Sequence, residues 1–123
     1  MHEESLMRSL LRQVDELAQQ HSAVAVEEIE VEIGPLSGVE PLLIEEAFQR
    51  LKELISWPGL ELCIRQVGLD VQCNDCHRQT QLPDFRFVCA HCGSTTLQII
   101  RGDSFRLLNV RLKVEHQSRL DQA

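Results

Sequence analysis

Apolar residues near the start of the chain recur at three- and four-residue spacing: Leu6, Met7, Leu10, Leu11, Val14, Leu17 and Ala18. That period places them on one stripe of an amphipathic helix running from Glu3 to about His21. Glu3 and Glu4 fall in its first turn, where carboxylates suit the positive end of the helix dipole. The period then changes to two. Ile29, Val31 and Ile33 alternate with Glu28, Glu30 and Glu32, which predicts a half-buried strand from about Val24 to Ile33 with the glutamates on a solvated face. Gly34 and Pro35 end it.

Ser37-Gly38-Val39-Glu40-Pro41 has turn chemistry and a proline suited to a first helical turn. It leads into Leu43, Ala47, Leu51 and Leu54, with Ile44, Phe48 and Ile55 alongside, a second amphipathic helix closing near Trp57-Pro58-Gly59. A second strand carries Leu60, Leu62 and Ile64 on one face. After a cysteine-bearing segment, Gly102-Asp103 turns into a third alternating run through Phe105, Leu107, Val110, Leu112 and Val114. The alternation slips by one residue at Leu107-Leu108, which suggests a bulge.

The order helix, strand, helix, strand, cysteine module, strand reads as an α+β fold: a three-stranded sheet covered by two helices, with an inserted zinc-ribbon-like module. The expected partition is residues 1–68 plus 103–116 for the α+β body, 69–102 for the insert and a frayed tail at 117–123. With 123 residues there is room for one modest core and a satellite.

Charge narrows the function classes. A formal net charge of -7, from 19 acidic against 12 basic residues, argues against a general nucleic-acid binder. No apolar run exceeds four residues. The expectation is therefore a protein without a membrane segment or secretory signal, working in the cytoplasm.

Four of the five cysteines form two Cys-x-x-Cys pairs, Cys73/Cys76 and Cys89/Cys92, separated by twelve residues. In a reducing compartment this is metal-site spacing, and a short hairpin would bring the pairs around one tetrahedral ion. Four thiolates leave no open position for water or substrate, so the site is expected to hold structural zinc. Gly93 follows the second pair, where a knuckle turn favours positive φ; the first pair has His77 there. Iron in a rubredoxin-like site would use the same ligands, but the chain offers little aromatic shielding. Cys73 to His77 also matches a c-type haem attachment pattern, which the second cysteine pair and the lack of an export signal disfavour. His77 and His91 flank the thiolates and are read as exposed loop residues, with ligand exchange as the alternative.

The chain opens Met1-His2-Glu3. The Met1 amine, the His2 backbone nitrogen and imidazole and the Glu3 backbone nitrogen can close a square plane, a nitrogen-rich set that favours Ni(II) or Cu(II) over zinc. The plain alternative is an ordinary terminal histidine.

Met1-His2-Glu3 opening a helix, the strand ending Ile33-Gly34-Pro35-Leu36-Ser37, the Val39-Glu40-Pro41 helix start, the paired Cys-x-x-Cys ribbon and the closing Gly102-Asp103-Ser104-Phe105-Arg106-Leu107 strand together resemble the HypA/HybF family of hydrogenase nickel-incorporation proteins. The resemblance spans nearly the whole chain. It implies a nickel metallochaperone, not an enzyme, that delivers Ni(II) to the large-subunit precursor of NiFe hydrogenase with a nickel-binding GTPase, HypB. It also implies transferable nickel at His2, with the Met1 amine and Glu3 backbone, and structural zinc on Cys73, Cys76, Cys89 and Cys92. A monomer or weak homodimer is expected.

Two other classes remain at this point. A zinc-ribbon adaptor without a transferable metal would use Glu27, Glu28, Glu30 and Glu32 as a docking face, although such a face is more simply solvated. An enzyme would need Cys63 as nucleophile, but no histidine partner is evident near it. Arg65, Arg86, Arg101, Arg106 and Arg111 read as scattered surface residues.

Overall fold

The computed structural model describes residues 2–55, 57, 59–82 and 85–115. The Met1 amine, Pro58 in the predicted helix stop and the 117–123 tail lie outside the described residues.

The predicted α+β order is observed. Helix α1 spans His2–Gln20, strand β1 Ala23–Ile33, helix α2 Pro41–Lys52 and strand β2 Glu61–Gln66. Strands β3 (Leu69–Cys73), β4 (Gln79–Leu82) and β5 (Leu97–Arg101) follow, and β6 (Phe105–Val114) closes the fold. One sheet has the order β2-β1-β6 and the other β4-β3-β5. Chain contacts divide into two compact units, the first comprising Met1–Val31, Glu40–Cys63 and Leu107–Ala123, the second Glu32–Val39 and Ile64–Arg106.

In the first unit the helical stripes supply the core. Met7, Leu10, Leu11, Val14 and Ala18 of α1 and Ile44, Ala47, Phe48 and Leu51 of α2 are buried, together with Val26, Ile29 and Val31 of β1. Helix α2 begins at an N-cap, Glu40, whose carboxylate accepts the Leu42 N–H, and carries Pro41 at its first turn. It stops at Lys52, so Leu54, expected on its apolar stripe, is left 76 % exposed. Leu43 is also on the outer side, since the inward stripe runs through Ile44. Glu4 ties the two helices by accepting from both Arg8 and Arg50 at 3.1 Å.

The second unit is more ordered than a simple hairpin between cysteine pairs. Strand β3 pairs antiparallel with β4 on one side and β5 on the other. Leu69, Val71 and Leu82 are buried with Leu97 packed against them. The register between β3 and β5 shifts at Asp70/Val71, where Ile100 is the additional residue. In β6, Leu107 and Leu108 are both half-buried, in line with the slip in alternation.

Glu32 departs from its predicted solvated position. It is fully buried, between buried Val31 and Ile33. The reason is an ion-pair group inside the second unit. Oε1 accepts from Arg101 Nη2 at 2.7 Å and Nε at 3.2 Å, and from Arg106 Nη2 at 3.4 Å. Oε2 receives no hydrogen bond and is stabilised only by Arg106 Nε at 3.4 Å. Two of the supposedly scattered arginines therefore compensate a buried charge. Arg111 likewise meets Glu27 and Glu28, so much of the glutamate face is already occupied by basic partners.

The Arg101 hydrogen bonds hold the Glu32 carboxyl below its ordinary range against the opposing effect of burial, with help from Arg106. A carboxyl depressed in the folded state adds stability above about pH 4.5 and loses it as pH falls through its folded value. Glu32→Gln is therefore expected to destabilise the protein by about 2 kcal/mol at pH 7, and the gap from the parent should narrow below about pH 4.5. Paired urea titrations from pH 7 to pH 4 check this. A gap that widens in acid would contradict it.

Candidate metal centre

The two Cys-x-x-Cys segments fold into matching turns. In the first, the His77 N–H donates to the Cys73 carbonyl at 2.9 Å; in the second, the Gly93 N–H donates to the Cys89 carbonyl at 3.0 Å. Each closing residue takes positive φ, +63° at His77 and +78° at Gly93. His77 thus adopts the conformation that its counterpart gains more easily as glycine. Each turn is pinned once more from outside, by the Arg78 carbonyl accepting the Cys73 N–H and the Ser94 carbonyl accepting the Cys89 N–H.

This geometry aims backbone N–H groups at the leading sulfur of each pair. Cys73 Sγ accepts from Asp75 at 3.4 Å and Cys76 at 3.5 Å, and Cys89 Sγ accepts from His91 at 3.4 Å. The thiol of Cys73 is lowered, first by the Cys76 N–H and then by that of Asp75. The Cys92 and His91 N–H groups bring Cys89 down to about 6. Cys92 is opposite: against a lowering N–H from Ser94, sharing with Cys73, burial and contact with Cys89 and Cys76 push it up to about 12. Four sulfurs this close cannot all ionise alone, and a divalent cation is what lets them do so.

Spacing gives the fit. All four Sγ atoms lie within 4.8 Å of one another, with Cys73 to Cys92 at 3.5 Å and Cys76 to Cys89 at 3.7 Å. A disulfide would need ~2.0 Å. A tetrahedron with Zn–S of ~2.3 Å has sulfur–sulfur edges of roughly 3.8 Å, so the donor set suits zinc. The pairs are also linked outside the sulfurs, through a short hydrogen bond from Ser94 to Asp75 and a contact of 3.3 Å between Arg78 Nη1 and His91 Nδ1. The His91 ring is thereby directed at a guanidinium, and His77 is exposed. Neither contributes to the sulfur cluster.

At the other end, His2 is exposed at the first residue of α1, where helical N–H groups have no intrahelical acceptor. Its neighbour behaves differently. The Glu3 carboxylate is only 9 % exposed and accepts the Glu40 N–H at 3.2 Å. That bond, then its own N–H, lowers the carboxyl below its ordinary value. The sequence reading used the Glu3 backbone and missed its side chain. The signal was available: Glu3 precedes Met7 by four residues, so it extends the buried stripe.

The family model described as "Hydrogenase/urease nickel incorporation, metallochaperone, hypA" matches residues 1–112. The chain belongs to the HypA family. It is 36 % identical over 115 residues to the hydrogenase maturation factor HypA of Aquifex aeolicus, covering 94 % of this chain and all of that protein. It is 33 % identical, with the same coverage, to the HypA of Parabacteroides distasonis. The solution structure of the Ni metallochaperone HypA from Helicobacter pylori superposes with a TM-score of 0.69 at 27 % identity, covering 92 % of this chain and 98 % of that one. A second HypA solution structure gives 0.73 at 28 % identity, covering 94 % and 98 %.

HypA proteins are metallochaperones in hydrogenase maturation and not enzymes, so the nucleophile reading of Cys63 falls; that residue is a half-buried thiol on β2. Among the described residues no helix is long and apolar enough to cross a membrane.

Proposed function

We propose that this HypA-family chain binds Ni(II) through His2, together with the Met1 amine and the Glu3 backbone nitrogen, and passes it, with a HypB-type GTPase, to the hydrogenase large-subunit precursor. The observation that carries the reading is the contrast between two donor sets in a chain matched to a nickel-incorporation family over residues 1–112. His2 is exposed, and Cys73 and Cys89 are almost fully buried. An exposed site on few side chains suits a cargo that must be surrendered. A closed four-sulfur site suits a resident ion.

In this reading the nickel-handling part is residues 1–68 plus 103–116, and the zinc-holding part is residues 69–102. Zinc, once bound, supplies a tetrahedral crosslink with no open coordination position. The chain's own contribution there is the pair of turns that orient N–H groups on Cys73 and Cys89. The work is placed in the cytoplasm, where thiolates stay reduced.

The test is calorimetric titration of Ni(II) into zinc-loaded protein with its native start, beside His2→Ala and a variant with one residue added before Met1. The expected result is tight binding by the parent and at least a tenfold loss in both variants. Unchanged binding in the variants would move the nickel site elsewhere, and no binding by the parent would leave a zinc-ribbon adaptor.

A further inference from the structure

We propose that the Glu3 carboxylate is the positioning group of the N-terminal nickel site, an inference that rests on the reading above and assigns a side chain a role within it. Among the described residues only two charged side chains are buried, Glu3 and Glu32. Glu32 is compensated by arginines, whereas Glu3 is held by backbone. Its Oε2 takes the N–H of Glu40, 37 positions further along, and Glu40 is itself the N-cap of α2. One carboxylate therefore joins the first turn of α1 to the residue that starts α2. The neighbouring Glu4 bonds only arginines more than half exposed, Arg8 and Arg50, and such surface pairs fix little.

Terminal residues ordinarily fray, and ordering them at the moment of binding weakens affinity. Chelation through the amine, consecutive backbone nitrogens and the His2 imidazole asks for that ordering. Anchoring Glu3 beforehand supplies part of it. The same bond commits the carboxylate, so Glu3 reaches the ion through its backbone nitrogen and its side chain acts on the segment that carries the ligands.

The experiment uses zinc-loaded, nickel-free protein with its native start, compared with Glu3→Ala, Glu3→Gln and His2→Ala. Amide exchange by NMR should show the Glu40 N–H protected in the parent and in Glu3→Gln, whose amide oxygen still accepts, and unprotected in Glu3→Ala. Nickel titration should then show about tenfold weaker binding for Glu3→Ala, one hydrogen bond's worth, and a change within about threefold for Glu3→Gln. The Ni(II) d–d absorption band should keep its position in parent, Glu3→Ala and Glu3→Gln, because no ligand is changed.

Three results overturn the proposal. A freely exchanging Glu40 N–H in the parent would remove its basis, whatever nickel does. Glu3→Gln as weak as Glu3→Ala, with a displaced band, would make the carboxylate a ligand. Parent-like affinity in Glu3→Ala would leave the bond purely structural. His2→Ala separates the levels: if it binds like the parent, the N-terminal reading fails and takes this inference with it; if it loses nickel while Glu3→Ala does not, only this inference fails.

Discussion

Removing the metal from the four-cysteine site is expected to unfold residues 69–101 while α1 and α2 keep their helicity. The β4-β3-β5 sheet rests on Leu69, Val71 and Leu82 with Leu97 against them, and its turns converge on the sulfurs. So few apolar side chains cannot offset the conformational entropy of more than thirty residues, which alone is on the order of 1 kcal/mol per residue. Structural zinc in small modules provides on the order of 10 kcal/mol, enough to decide the state of the segment. Without it, close thiols must protonate, and the turns lose the centre that brings them together. The helices draw on Met7, Val14, Ile44 and Phe48, which belong to the other unit and need no ion. Chelation followed by amide exchange should show Val71 losing protection while far-UV circular dichroism at 222 nm changes little; Cys89→Ser should behave in the same way. A Val71 amide still protected after metal analysis shows an empty protein would sink the prediction.

Gly34→Ala should be the most damaging single-methyl change in the chain, costing about 3 kcal/mol or more and lowering the melting temperature by roughly 10 °C. A Cβ at Gly34 would stand 2.3 Å from both the carbonyl carbon and the oxygen of Gly102. Neither partner can step aside. Gly34 donates to Ser104 and Leu36 donates to the Gly102 carbonyl, so moving one strand breaks ladder bonds at 3.0 and 2.8 Å. Gly102 has φ of +119°, and a Cβ there would meet the Gly68 carbonyl oxygen at 2.7 Å, so its other side is closed as well. Gly59→Ala is the control, because nothing lies within 4 Å of a Cβ at that position. Thermal melts of the two variants should differ clearly, and a Gly34→Ala protein melting within two or three degrees of the parent would refute the argument.

The sequence carried the elements because their periods are local. The α1 stripe, the β1 alternation and the last strand could be read from spacing, and the closing strand is observed over Phe105–Val114 as expected. The paired cysteines were legible for the same reason: a Cys-x-x-Cys turn is a short-range object. What escaped was chemistry set by residues far apart. Glu32 is 69 positions from Arg101, and alternation alone assigns it to solvent. Glu3 meets Glu40 only once both helices are packed. Helix α2 ended early because Leu54 and Ile55 continue the apolar period beyond the point where the chain leaves the helix. The second sheet was missed because Gln79–Leu82 and Leu97–Arg101 are short and largely exposed, and their pattern is too weak to declare a strand.

The two cysteine turns also bear on how the centre is made during synthesis. Each is a half-site built from one contiguous stretch, with its positive-φ residue and its hydrogen bonds inside that stretch. The first half, Cys73 to Arg78, leaves the ribosome before Cys89 exists. An ion can therefore be caught by two sulfurs, wait with solvent on its remaining positions, and be enclosed when the second half arrives. Loss by chelators runs the same path backward, one pair at a time. Lability is then governed by how readily a single turn opens, a kinetic property distinct from the strength of the completed tetrahedron.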